Sequence, residues 1–439
     1  MPERRHTRES GEKQNRIVPA IESQADLRQR KTSAYPRFYT AGRLPGNQEN
    51  PVKTYSGNDE LNEKYPAHPF ALRTLDGNTT LTGQINYPET PTGAYPLVVL
   101  APGSGMHDRH YLIGDSGTQA DFVFSCLAQD LLSAGLAVLR FDCRGVKSHL
   151  RDKTLDNPEY VFNRELAYRQ MFIDAAVRQT VTPQSQYEDL YTLYQYAIEL
   201  PHIDRHNLIL LGHSEGAINI GRLVAHYPVA AKALMLVSPV FSSMKHVLEW
   251  QLIHRTITWL KAIPHTGDRL TLADLKNGFG HSPLAFLQPI SSLLPYKGYW
   301  DEADFDSMTA RLQASFDTQR DMVLSHDDQE SWPAEAPFTQ SSYAWWKQWY
   351  QNDQPEIEHL AQCQSRVVCY FGMMDTQVNA AAEAAWFEGV KHRFTHIDVT
   401  LLPDVGHTLG LHGLLGPMTE SCADLLVRTA NDIVTGRSV

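Results

Sequence analysis

The sequence predicts an α/β fold, a mostly parallel sheet covered by helices on both faces, and three observations carry that expectation. Short apolar runs ending in turn residues alternate with stretches of helical length, the pattern of repeated strand–helix–strand units. The alternation breaks off near residue 240 and resumes near residue 366, as it does when a segment is inserted into a domain. A strand-like run, Leu208–Leu211, passes through Gly212-His213-Ser214-Glu215-Gly216 directly into a helix-like segment.

The elements follow in order. Residues 1 to 66 are polar, charged and rich in Pro, Gly and Asn, with no sustained period, and read as a loosely ordered arm. Phe70–Leu75 and Leu81–Tyr87 read as paired strands around an Asp76-Gly77-Asn78 turn. Leu97–Ala101 is a continuous apolar run stopped by Pro102-Gly103, as a buried parallel strand would be. Then come a helix over Asp121–Ala134, a strand over Leu136–Phe141, a helix over Tyr187–Glu199 and the strand Leu208–Leu211. A helix over Glu215–His226 and a strand over Ala233–Val237 complete the first part of the core, 67–240, which carries an insertion at about 150–183. Residues 241–365 lean towards helix, hold seven of the eight tryptophans and read as a cap. The core resumes over 366–439 with strand Arg366–Phe371, helix Asn379–Val390, strand Ile397–Leu402 and a last helix, Thr419–Val434.

Composition narrows the function. With 39 basic against 50 acidic side chains the net charge is −11, which argues against a nucleic-acid partner, since phosphate binding needs a dense basic surface. Five cysteines, in no CxxC pair, argue against a zinc site or a disulfide framework, and Cys126, Cys143 and Cys369 sit in apolar runs as buried free thiols would. The N-terminal sixteen residues lack the apolar core of a signal peptide, and no apolar run is long enough to span a bilayer. A cytoplasmic location follows as the expectation, with self-association left open.

The chemistry centres on Ser214. A Gly-x-Ser-x-Gly sequence between strand and helix is a nucleophile elbow: the sharp turn forces the serine into strained backbone, and glycines two residues either side let neighbouring chains approach. The hydroxyl then stands at a helix N-terminus, where developing negative charge is favoured. A serine needs a base, and the base an orienting acid. Strand Arg366–Phe371 ends in Gly372-Met373-Met374-Asp375, and strand Ile397–Leu402 ends in Pro403-Asp404-Val405-Gly406-His407. Both side chains therefore fall in loops at the carboxyl edge of one sheet, in the order Ser, acid, His. Asp375 is the expected acid; Asp404 shares the histidine's own loop, where turn duty suits it, and Asp398 lies inside a strand. The oxyanion hole needs two backbone N–H groups. Glu215 should supply one, and Ser104, after the N–H-less Pro102, the other.

These residues resemble the α/β-hydrolase superfamily. Within it they are similar to bacterial serine hydrolases described as dipeptidyl-aminopeptidase-like or esterase-like. The matching stretches are Gly103-Ser104-Gly105-Met106-His107-Asp108-Arg109, Arg140-Phe141-Asp142-Cys143-Arg144-Gly145-Val146-Lys147-Ser148 and the elbow itself. The resemblance spans roughly 70–240 and 360–435, and departs from the pattern at Lys147 and Pro102. It implies an α/β-hydrolase fold and does not extend to the cap. Asp108, Arg109, Asp142 and Arg144 read as turn residues pinning adjacent loops by charge-assisted hydrogen bonds.

The expected reaction is hydrolysis of a carboxylic ester of a moderately apolar small molecule through an acyl-enzyme, with no metal or organic cofactor. The same triad would also serve amide, thioester or carbon–carbon cleavage or acyl transfer, and a catalytically idle receptor is the alternative of another class. The cap tryptophans read as the cap's own core more readily than as a substrate cage.

Overall fold

The computed structural model describes residues 58–113, 119–146, 173–328, 330, 342–411 and 416–437. Ten strands are named in chain order: β1 (Ala67–Arg73), β2 (Thr80–Asn86), β3 (Tyr95–Ala101), β4 (Ala137–Phe141), β5 (Ile203–His213), β6 (Ala233–Val237), β7 (Leu270–Thr271), β8 (Tyr299–Trp300), β9 (Arg366–Gly372) and β10 (Ile397–Leu402). Eight of them form one sheet in the order β1-β2-β4-β3-β5-β6-β9-β10. From β4 to β10 every neighbouring pair is parallel, while β1 and β2 form an antiparallel edge. This is the α/β-hydrolase architecture the sequence predicts.

The continuous apolar runs are explained by burial on both faces. Along β3, Leu97, Val99 and Ala101 enter one core while Val98 and Leu100 enter the other. In β9 the same alternation sends Val367, Cys369 and Phe371 one way and Val368 and Tyr370 the other. Helices Val123–Ser133 and Glu420–Thr435 supply side chains to one core, and Pro183–Ile198, Glu215–His226 and Ala380–Val390 to the other.

Several boundaries differ from expectation for identifiable reasons. β5 starts five residues earlier than its apolar run, because Ile203 pairs with Tyr95 and the polar stretch Asp204-Arg205-His206-Asn207 carries the strand across a register shift against β3. The helix expected from Tyr187 starts at Pro183, where Thr182 forms a capping box with Ser185 and proline occupies the first turn. Of the expected loose arm, residues 1–57 lie outside the described residues. Its end is not loose: Asn58–Lys64 is a helix, and Leu61 and Tyr65 are buried in the core. The insertion at 150–183 lies outside the described residues as far as 172.

The segment 241–365 is helical where described, with its own small core around Ile257, Leu260, Leu275 and Phe305, plus the two-residue ribbon β7–β8 that periodicity did not reveal. Trp250, Trp345 and Trp349 are buried. All five cysteines are free thiols; Cys369 is buried, but Cys126 and Cys143 are only half-buried, short of the expectation. Among the described residues no helix is long and apolar enough to cross a membrane.

Candidate active site

The elbow forms as its glycines require. A Cβ on Gly216 would stand 2.2 Å from the carbonyl oxygen of Ala101, and one on Gly212 would stand 2.6 Å from that of Gly216. Only bare glycine lets β3, β5 and the helix Glu215–His226 pack this closely. Ser214 itself sits at φ 55° and ψ −123°, a conformation costing about 1–3 kcal/mol. The N–H of Ser214 donates to Val237 O at 2.9 Å, so the strained residue is held against β6.

Strain concentrates here. Among the described residues, five non-glycine residues have positive φ: Tyr111, Ser214, Ser238, Asp404 and Leu409. Four of them lie on loops of the site, and Tyr111, Ser214 and Ser238 belong to or adjoin one hydrogen-bonded chain described below.

The loops after β9 and β10 meet as expected. His407 Nδ1 lies 2.8 Å from Asp375 Oδ2, both groups buried. The second carboxylate oxygen of Asp375 accepts from the backbone N–H of Gln377 at 2.7 Å and of Val378 at 3.0 Å. A carboxylate can only accept, so Nδ1 carries the proton and Nε2 is left with its lone pair, the tautomer a general base needs. Asp398 is exposed and paired with Arg366, and Asp404 is exposed in a left-handed turn, so neither rival reaches His407.

A connection the sequence did not reveal ties the loop after β3, the elbow and the loop after β10 together. The N–H of Gly103 donates to Tyr111 Oη at 2.9 Å, and Tyr111 Oη lies 2.6 Å from His213 Nδ1. His213 Nε2 then donates to the backbone oxygen of His407 at 2.9 Å, which also accepts from Ser238 Oγ at 2.8 Å. Because a carbonyl cannot donate, Nε2 of His213 bears the proton and Nδ1 accepts from the tyrosine. Burial, with the neighbouring His407 next, holds the His213 pKa well below the usual histidine range, so the ring stays neutral. Tyr111 and Ser238 carried no sequence signal beyond proximity to β3 and β6, because the bonds from Tyr111 to His213 and from Ser238 to His407 join residues more than 100 positions apart.

In the loop after β3, Gly103 spends its N–H on Tyr111 and Pro102 has none, which leaves Ser104 as the first backbone donor there without an acceptor among the described residues. Ser104 is exposed at the lip of the loop, and its carbonyl lies 2.7 Å from His107 Nε2. Glu215 opens the elbow helix with its side chain buried rather than solvated at the helix end. Its Oε1 accepts from the indole N–H of Trp345 at 2.8 Å, a bond across 130 positions that joins the helix Tyr343–Gln351 to the residue after Ser214. Burial raises the Glu215 pKa, opposed by hydrogen bonds from Trp345, Gln186 and Ser104.

The charged turn residues pin loops, as expected. Arg109 grips Asp142 through Nε at 3.1 Å and Nη2 at 2.6 Å, and Arg144 grips Asp189 at 3.0 and 2.6 Å while reaching Asp76 at 2.5 Å. Among the described residues no group of three or more His, Cys, Asp or Glu side chains is arranged to hold a metal ion.

The described geometry thus sets a strained serine at a strand-to-helix elbow and a carboxylate-bound histidine at the same sheet edge. The chain matches the model of the alpha/beta hydrolase family over residues 98–415 and belongs to that family, which supports hydrolase activity. No curated protein matches it. Solved structures similar to it include the alpha/beta hydrolase GrgF from Penicillium sp. sh18, at 13% identity, covering 85% of this chain and 99% of that one, TM-score 0.42. Est1E from Butyrivibrio proteoclasticus is similar at 11% identity, 84% and 98% coverage, TM-score 0.39. An acylaminoacyl peptidase from Pyrococcus horikoshii is similar at 9% identity, 86% and 43% coverage, TM-score 0.43.

Proposed function

We propose that this chain is a serine hydrolase cleaving a carboxylic ester of a moderately apolar small molecule through an acyl-enzyme. The observation that carries the reading is the 2.8 Å bond between His407 Nδ1 and Asp375, at the sheet edge where Ser214 stands strained. His407 Nε2 takes the proton from Ser214 Oγ as that oxygen attacks the ester carbonyl. The tetrahedral oxyanion receives the N–H groups of Ser104 and Glu215. His407 returns the proton to the leaving alcohol, then activates water to release the acid and restore the serine. Asp375 holds the imidazole in its tautomer and stabilises its charged form without taking the proton. No cofactor or metal takes part.

The aromatic-rich cap favours an apolar group on the substrate, and Trp345 bonded to Glu215 brings that cap to the nucleophile's neighbour. A panel of p-nitrophenyl esters, aminoacyl amides and acyl-CoA thioesters tests the bond type. The expected result is turnover of esters with kcat/KM at least tenfold above the amides and thioesters. Turnover of amides or thioesters but not esters would move the reading to that chemistry, and binding without any turnover would move it to a receptor.

A further inference from the structure

The cap carries a cation that the reaction described above does not use. Helix Met244–Glu249 runs into a π-helical turn, Trp250–His254, and then into helix Arg255–Lys261. Such turns insert one residue into a helix and re-aim the side chains that follow. Here Gln251 Nε2 donates to Gln377 O at 3.1 Å, and Arg255 Nη1 donates to Thr376 O at 3.3 Å. Both acceptors are in the loop that carries Asp375, so the π-turn lays Arg255 beside the acid of the candidate triad.

The bonding of Arg255 is incomplete. Its guanidinium is half-buried, and its buried Nε finds no acceptor among the described residues. No carboxylate among the described residues forms an ion pair with it. The anion that acts on it is Asp375, whose two oxygens are already taken by His407, Gln377 and Val378. Burial draws the Arg255 pKa down to about 10, so the group is still charged at neutral pH. At the start of the same π-turn Trp250 Nε1 is a second buried donor with no acceptor among the described residues. Two other buried arginines are each matched by a carboxylate, Arg222 by Glu356 at 2.7 Å and Arg144 by Asp189 at 2.6 Å. A cation drawn from water without a carboxylate of its own to pair with is disfavoured unless a ligand supplies one.

We propose that Arg255 binds a carboxylate carried by the substrate, so that the preferred ester bears an anionic group remote from the scissile bond. The inference rests on the ester-hydrolase reading for its reaction, but not for its binding. A carboxylate fits because it offers two planar acceptor oxygens to a guanidinium fork.

The test compares mono-p-nitrophenyl esters of the linear diacids from adipic to sebacic with p-nitrophenyl esters of monoacids of matched length, in the wild-type chain and in Arg255→Gln. The wild type is expected to favour at least one diacid ester over its neutral counterpart by about tenfold or more in kcat/KM. Arg255→Gln should lower that diacid rate about 10- to 100-fold, chiefly through KM, and leave the neutral ester within twofold. Titration of tryptophan fluorescence with the free diacids and matched monoacids reads binding without turnover, and saturable diacid binding should vanish in Arg255→Gln. No diacid preference in either assay, or an equal loss of neutral and anionic esters in the variant, overturns the proposal. Diacid binding that depends on Arg255 in a protein that cleaves no ester overturns the reaction reading alone.

Discussion

His407→Ala is expected to lower kcat by about 10⁴- to 10⁶-fold, because members of a serine triad act as a unit and the loss of the base removes almost all of their joint effect. The fold should survive. What anchors the loop after β10 is the backbone oxygen of His407, which accepts from His213 Nε2 and Ser238 Oγ, and alanine keeps that oxygen. Steady-state kinetics on the best ester of the panel, with a thermal melt beside it, checks both halves. A loss below tenfold with the melt unchanged would mean that another group takes the serine proton.

Asp375→Asn is expected to cost about 10⁴-fold in kcat for a reason visible in the geometry. The N–H groups of Gln377 and Val378 point at one carboxylate oxygen, so an asparagine must keep its carbonyl oxygen there. Its amide NH2 then faces His407 Nδ1, which has to become an acceptor. The proton moves to Nε2, and the ring can no longer deprotonate Ser214. KM should change little, because the Asp375 carboxylate is buried and its oxygens are engaged by His407, Gln377 and Val378. Kinetics of Asp375→Asn beside Asp375→Ala separates the tautomer effect from simple loss of charge, and wild-type activity in Asp375→Asn would remove the acid from the reaction.

Much of the site was legible because its determinants are local. The elbow is coded by five consecutive residues whose glycines answer contacts as close as 2.2 Å, and Asp375 and His407 each follow a short strand whose apolar run marks where it ends. The sheet was legible for the same reason, since strands buried on both faces read as unbroken apolar runs. What stayed hidden depends on pairing across the chain. The polar opening of β5 spans a register shift against β3 that no local pattern marks, and β7–β8 is too short for any period to register. The hydrogen-bonded chain from Gly103 through Tyr111 and His213 to His407, and the bond from Trp345 to Glu215, join residues that periodicity cannot relate. Arg255 was hidden too, because a lone arginine in a helix reads as a solvated face until the missing counter-ion is visible.

The central claim is that Ser214 is an activated nucleophile, and covalent labelling with a fluorophosphonate probe tests it most directly. The wild-type chain should take up one equivalent of probe, with the modified peptide containing Ser214, and Ser214→Ala should take up none while melting at the wild-type temperature. Undiminished labelling of folded Ser214→Ala, or no labelling of the folded wild type, would contradict the account.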